Sequence, residues 1–246
     1  MTHFENAPRV ALITGAARRI GRALAFDLSS AGWTIAIHYR KSAADADTLV
    51  ADVEASGGRA KSFQADLIDP EASGALVADV ARELGPPLVL VNNASEFLPD
   101  TIQNLDDKTW DLHLGVNLKA PVFLAQAMAA SLPSDCEGNI INIIDQRVWN
   151  LTPEFFSYTI SKAGLWTATR TLAQALAPRI RVNAIGPGPV LRSIHQTDDD
   201  FARESQSTIL RRGASTDEIA AAVRFILATP SLTGQMIALD GGQHLT

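Results

Sequence analysis

The sequence predicts an α/β fold: a single Rossmann-type, doubly wound domain of about seven mostly parallel strands with helices on both faces. Three observations predict it. Short β-rich runs alternate with segments of helical length and period, which is the pattern that crossover connections impose on parallel strands. No linker, internal repeat or low-complexity tract divides the 246 residues. Finally, 46% of them are apolar and 20% charged, enough for a core covered on both sides by solvated helices.

In chain order, the apolar run at residues 10–14 is the first strand, ended by Gly15, and residues 20–30 have the period of the first helix. Residues 34–39 form the second strand and 43–55 the next helix, with Ser42 placed to cap it. Strands at 61–65 and 88–92 flank a helix at 70–84. A long helical pattern covers 105–130, followed by a strand at 139–144. Thr152 and Pro153 open a helix running to residue 176, before a strand at 180–185. A helix at 216–227 and a strand at 236–239 close the chain. The irregular segment 186–213 has Pro187, Gly188 and Pro189 at one end, Gly213 at the other and a short acidic helix around Asp198, Asp199 and Asp200. Residues 187–213 read as a lid over a substrate, because ligands of such sheets bind beyond the carboxyl ends of the strands.

The net charge of −6 gives no general attraction for nucleic acid or an anionic membrane. Residues 1–9 lack the basic and apolar regions of a secretory signal, and no apolar run reaches the ~18 residues of a membrane span. A cytoplasmic location is expected. Cys136 is the only cysteine, and His3, His38, His113, His195 and His244 are scattered, so neither a disulfide nor a metal site is expected.

The turn Thr14-Gly15-Ala16-Ala17-Arg18-Arg19-Ile20-Gly21 follows the first strand and opens the first helix. Its glycines allow close approach of a pyrophosphate, whose charge suits the free N–H groups of a helix N-terminus. The second strand ends in His38-Tyr39-Arg40-Lys41-Ser42 and lacks the acid that would accept a ribose hydroxyl. Arg40, Lys41 and Ser42, with Arg18 nearby, instead suit a 2′-phosphate, so the expected cofactor is NADPH. Asp66 closes the third strand, where an adenine amino group would bind, and Asn92-Asn93-Ala94 closes the fourth beside the nicotinamide.

Tyr158 and Lys162 stand four residues apart, on one face of a helix. An ammonium beside a phenol lowers the phenol pKa and makes Tyr158 a general acid and base. Pro121 has no N–H to bond the carbonyl of Asn117, four residues earlier, which frees that carbonyl within the 105–130 helix.

The glycine turn, Asn92-Asn93-Ala94, Tyr158-x-x-x-Lys162, Asn183, Gly186-Pro187-Gly188 and Asp240-Gly241-Gly242 together resemble the classical short-chain dehydrogenases/reductases over nearly the whole chain. The resemblance implies that Asn117, Tyr158 and Lys162 are catalytic, with Asn117 completing a water relay to Lys162, which also holds the nicotinamide ribose. It implies a cofactor site of Gly15, Arg18, Arg19, Ile20 and Gly21 with His38, Tyr39, Arg40, Lys41 and Ser42. Asp66 and Leu67, then Asn93, Ala94 and Ser95, and then Pro187, Gly188 and Val190 complete that site. It also implies a homotetramer.

Two departures narrow the resemblance. Arg19 replaces the middle glycine of the turn, and Asp145 stands thirteen residues before Tyr158, where the family has a catalytic serine. These, with His38-Tyr39, Asn93-Ala94-Ser95-Glu96-Phe97 and the closing Gly241-Gly242-Gln243-His244-Leu245, resemble pteridine reductases and the shorter bacterial dihydromonapterin and dihydrofolate reductases. That resemblance implies a pterin-like substrate held by Arg19, Ser95, Phe97, Asp145 and Tyr158, with Phe97 stacked on one face of its ring. A reductase of a small ketone, sugar or acyl-thioester is the alternative enzyme, and a non-catalytic NADPH-binding regulator the alternative from another class.

Overall fold

The computed structural model describes residues 9–193 and 196–246 and contains a seven-stranded parallel sheet in the order β3-β2-β1-β4-β5-β6-β7. The strands are β1 (Val10–Ile13), β2 (Thr34–Tyr39), β3 (Arg59–Gln64), β4 (Pro87–Asn92), β5 (Gly138–Ile143), β6 (Ile180–Pro187) and β7 (Met236–Leu239). Every residue of β1, β4 and β5 is buried, as expected of central strands covered on both faces. Helices α1 (Arg19–Ser30), α2 (Ala43–Ala55) and α8 (Thr216–Ala228) pack together in one layer. The other layer contains α3 (Pro70–Leu84), α5 (Ala120–Ser131) and α6 (Phe156–Leu176), with α4 (Asp107–Leu114) against α6. The chain builds outward from β1 to β3 and then returns to place β4 on the other side of β1. That reversal opens a crevice above β1 and β4. The doubly wound α/β architecture expected from the sequence is the one present.

Several boundaries differ from the sequence reading, each for a local reason. The third strand starts at Arg59 and ends at Gln64, two residues and one residue earlier than expected. The expected helix 105–130 is α4, a π-helical turn (Gly115–Lys119) and α5. Pro121, in the first turn of α5, cannot donate, and the Ala120 N–H bonds the carbonyl of Gly115, five residues back. The helix expected from Pro153 begins instead at Phe156, behind Phe155 in the left-handed region (φ 53°). Thr152 does not cap it: its hydroxyl accepts from Arg147 Nη1 at 2.5 Å. The Asp100 carboxylate, buried in the loop after β4, takes that role and accepts from the Ser157 N–H at 3.2 Å. Ser42 precedes α2 but makes no side-chain cap bond. The acidic helix α7 (Asp198–Ser207) does form and is started by reciprocal bonds between Thr197 and Asp200.

His3, His195 and the first eight residues lie outside the described residues. Among the described residues no helix is long and apolar enough to cross a membrane.

Candidate active site

A cavity of about 790 Å³ lies beyond the carboxyl ends of the strands, and the sequence-selected groups converge on it. Its floor is the glycine turn. Gly15 is left-handed (φ 61°), and a Cβ there would sit 3.0 Å from the Ala94 backbone; a Cβ on Gly21 would sit 2.5 Å from the Gly15 carbonyl. Neither position has room for a side chain. Arg19, where the family has glycine, keeps the left-handed backbone (φ 56°), and its guanidinium bonds the carbonyls of Leu191 and Arg192 at 3.0 and 2.9 Å. The turn is thereby tied to the 187–213 segment. Arg18, the residue before α1, makes no side-chain cap bond, so the first N–H groups of that helix are left for an anion.

Two latches hold this floor. His38 is buried; its Nδ1 accepts from the Gly15 N–H at 3.0 Å, so Nε2 carries the proton and donates to the Ala65 carbonyl at 3.1 Å. Burial pushes the His38 pKa down to about 4, which keeps the ring neutral in this double role. Asn93 donates to the carbonyls of Thr14 and Gly15 at 2.8 and 3.1 Å, while the Thr14 hydroxyl accepts from the N–H groups of Asn93 and Ala94. Asn92, by contrast, faces away and bonds Asn142 in the core. Asn183 likewise bonds Leu232 and Gln235 and serves the frame.

The basic end of the cavity has Tyr39, Arg40, Lys41 and Ser42 on one side and Asp66 and Leu67 on the other. Asp66 Oδ1 accepts from the Ile68 N–H at 3.3 Å, and Arg18 pairs with Asp45 at 3.7 Å. Arg40 Nη1 stands 2.7 Å from Glu96 Oε1, an ion pair that sequence reading did not anticipate. Ile20, Pro187, Gly188 and Val190 line the rest.

At the other end the Tyr158 hydroxyl donates to Asp145 Oδ2 at 2.9 Å, and Asp145 Oδ1 accepts from the Arg147 N–H at 2.8 Å. Burial raises the Asp145 pKa, opposed by these bonds and by Arg147. Burial, followed by Asp145, holds the Tyr158 phenol well above its usual range. The expectation that Lys162 would bring it down is corrected: desolvation and a neighbouring carboxylate both favour the neutral phenol. Lys162 Nζ donates to the Ile143 carbonyl at 2.9 Å, and burial lowers its pKa to about 8.

Asn117 sits in the π-helical turn, but its amide clamps the loop after β4. It accepts from the Glu96 N–H at 2.9 Å and donates to the Glu96 carbonyl at 3.0 Å and to Ser161 at 3.1 Å. Ser95 lines the cavity on that loop. Phe97, expected to offer a free face, stacks on Phe155 at 4.3 Å between centroids and packs nearly perpendicular to the Tyr158 ring at 4.7 Å between centroids. Phe155 carried no sequence signal, because its placement depends on a left-handed backbone. A buried relay supports the same wall: the Leu98 N–H donates to His113 Nε2, His113 Nδ1 to Ser157, and Ser157 to Asp100. Burial lowers the His113 pKa, in keeping with a neutral ring that both accepts and donates.

The cleft has a glycine-turn floor and a helix N-terminus for a dinucleotide, a basic end for a phosphate and a paired acid and phenol for proton transfer. Residues 15–244 match the family described as enoyl-(acyl carrier protein) reductase, and the chain belongs to the short-chain dehydrogenase/reductase family. Among solved structures it is similar to FolM alternative dihydrofolate reductase 1 from Brucella suis in complex with NADP. The two are 51% identical, with 98% of this chain and 96% of that one covered and a TM-score of 0.94. The corresponding Brucella canis protein, also complexed with NADP, is 50% identical over 98% and 95% of the two chains, with a TM-score of 0.95. The 3-oxoacyl-[acyl-carrier-protein] reductase FabG of Staphylococcus aureus is 31% identical, with 96% of this chain and 98% of that one covered.

Proposed function

We propose that this chain is an NADPH-dependent reductase of a pteridine, of the dihydropterin or dihydrofolate type. The observation that carries the proposal is the half-buried Asp145 carboxyl bonded to Tyr158 where the family has a serine. A neutral hydroxyl there would donate to the oxyanion that forms in carbonyl reduction, whereas a carboxylate would repel it. A pterin instead presents ring nitrogens and amino groups, which a carboxyl group can accept from or protonate. The likeness to the Brucella enzymes at about half identity supports the same substrate class.

The cleft fits NADPH on its own features: the close-packed glycine turn, the uncapped start of α1 and the basic end of β2 without an acid. Gly15, Arg18, Arg19, Ile20 and Gly21 would hold the pyrophosphate, Arg40, Lys41 and Ser42 the 2′-phosphate, and Asp66 and Leu67 the adenine. Asn93, Ala94, Ser95, Pro187, Gly188 and Val190 would enclose the nicotinamide half. His38 supports the turn beneath the cofactor, and Tyr39 would line the cofactor cleft beside it. When bound, the cofactor supplies a hydride.

The chain supplies the proton. As hydride adds to the carbon of a ring C=N bond, the adjacent nitrogen becomes basic and takes a proton held between Tyr158 and Asp145. The C–H and N–H bonds formed balance one hydride and one proton, and solvent restores the latter. Lys162 stabilises the negative charge left on the pair and orients the ribose. Asn117 fixes the Ser95-Glu96-Phe97 loop, and Arg19, Ser95 and Phe97 position the ring. Residues 187–213, of which 194 and 195 lie outside the described residues, act as the lid of a single-domain enzyme, and the active assembly is a homotetramer, which the molar mass in solution, measured by light scattering, would test.

The functional test is NADPH oxidation followed in parallel with dihydropterins, dihydrofolate and a panel of ketones and acyl-thioesters. Turnover confined to the pteridines supports the proposal; efficient reduction of the carbonyl panel with none of the pteridines refutes it.

A further inference from the structure

Strand order places Arg40, at the end of β2, and Glu96, in the loop after β4, on opposite sides of the β1 glycine turn. Their side chains nevertheless meet at 2.7 Å, both facing the cavity and both largely sheltered, with exposures of 35% and 23%. The pair therefore straddles the dinucleotide cleft. The main chain is held at both partners, and the ion pair lies in their side chains. Gln64 donates to the Arg40 carbonyl at 3.1 Å, and Asn117 grips the Glu96 peptide groups from both sides. A guanidinium with a carboxylate already docked on it is a poorer partner for a phosphate, and the carboxylate itself repels a dianion.

We propose that Glu96 is a cofactor-specificity residue that competes with the 2′-phosphate for Arg40. Phosphate binding displaces the Glu96 carboxylate, and as oxidised cofactor leaves, Glu96 recaptures Arg40 before the phosphate can return. The two anions exchange one guanidinium; no covalent bond changes. The consequence is a moderated NADPH affinity and a faster release of NADP. Lacking a phosphate, NADH gains nothing from the loss of Glu96. This inference rests on the NADPH reading above.

The test measures Kd for NADPH and NADH by fluorescence titration, and the NADP release rate by stopped flow, on the full chain. It compares the wild type with Glu96→Gln, Arg40→Ala and the double variant. Glu96→Gln should tighten NADPH about three- to fivefold, the scale of one partly exposed ion pair, and slow NADP release, leaving NADH unchanged or weaker. The gain should vanish in the Arg40→Ala background. Unchanged or weaker NADPH binding by Glu96→Gln, an equal gain for NADH, or a gain that survives without Arg40 overturns it. Failure of the wild type to bind NADPH is a separate outcome, which overturns the NADPH reading itself. A merely structural Glu96 would shift both cofactors together.

Discussion

Tyr158 donates its hydroxyl proton to Asp145 at 2.9 Å; the tyrosine is buried, Asp145 is half-buried, and desolvation together with Asp145 favours the neutral phenol. The tyrosine thus enters the reaction as a proton-bearing acid beside a carboxylate that accepts from it. Removing the hydroxyl should abolish proton delivery and leave the cleft intact, since the ring packing against Phe97 is kept. Tyr158→Phe is expected to bind NADPH with unchanged Kd while kcat falls at least about a hundredfold. Near-normal turnover in that variant would exclude the assigned role.

Lys162 predicts the alkaline limb of the pH profile. Its pKa is lowered to about 8 by burial, with Asp145 pulling in the opposite direction. The ammonium that stabilises the anionic Tyr158–Asp145 pair is therefore lost as pH rises through about 8, and kcat should fall there. Asp145→Asn removes the charge that raises the Lys162 value, so the limb of its residual activity should move to lower pH. A wild-type profile flat to pH ~10 would contradict this assignment.

His38 makes a prediction about stability. Its ordinary value of 6.5 in the unfolded chain falls to about 4 on folding because the ring is buried. The folded state thus binds fewer protons than the unfolded state between these values, and stability rises with pH across that window. The contribution is nearly complete at pH 7 and is lost as pH falls from about 6.5 toward 4. At pH 5 the loss is about 2 kcal/mol, or several degrees in Tm for a chain of this size. His38→Gln should show a smaller loss between pH 7 and 5; an identical loss would remove His38 as its source.

Arg40 tests the phosphate end. Replacing it by aspartate puts a carboxylate where a 2′-phosphate would bind and a ribose hydroxyl can donate. Arg40→Asp should lower kcat/KM with NADPH by about tenfold or more and narrow or reverse the preference over NADH. Equal use of both cofactors by the wild type would already contradict the NADPH reading.

The frame of this molecule was legible because its signals are local. The central strands β1 and β4, buried on both faces, read as apolar runs, and Tyr158 and Lys162 announce themselves by helical spacing and by their place after β5. Asp145 was legible from its distance to Tyr158. What the sequence concealed depends on groups far apart in the chain or on backbone geometry. Pro121 marked a disturbed helix, but not the π-helical turn through which the chain absorbs it. The cap of α6 comes from Asp100, and the left-handed Phe155 supplies the ring against Phe97. Glu96 entered the sequence reading only within the run at residues 93–97, because its pairing with Arg40 depends on β2 and β4 bringing distant residues together. The Tyr158 pKa was misjudged because the lysine was counted and the burial with Asp145 was not.

The central claim is that Asp145 makes this site one for a pteridine and not for a carbonyl. The most direct measurement is kcat/KM of wild type and Asp145→Ser, each with NADPH and a dihydropterin and with NADPH and a small ketone. Serine keeps a polar group beside Tyr158 but removes the carboxyl group, so dihydropterin reduction should collapse while ketone reduction is kept or improved. Dihydropterin turnover that survives Asp145→Ser unchanged would contradict the account.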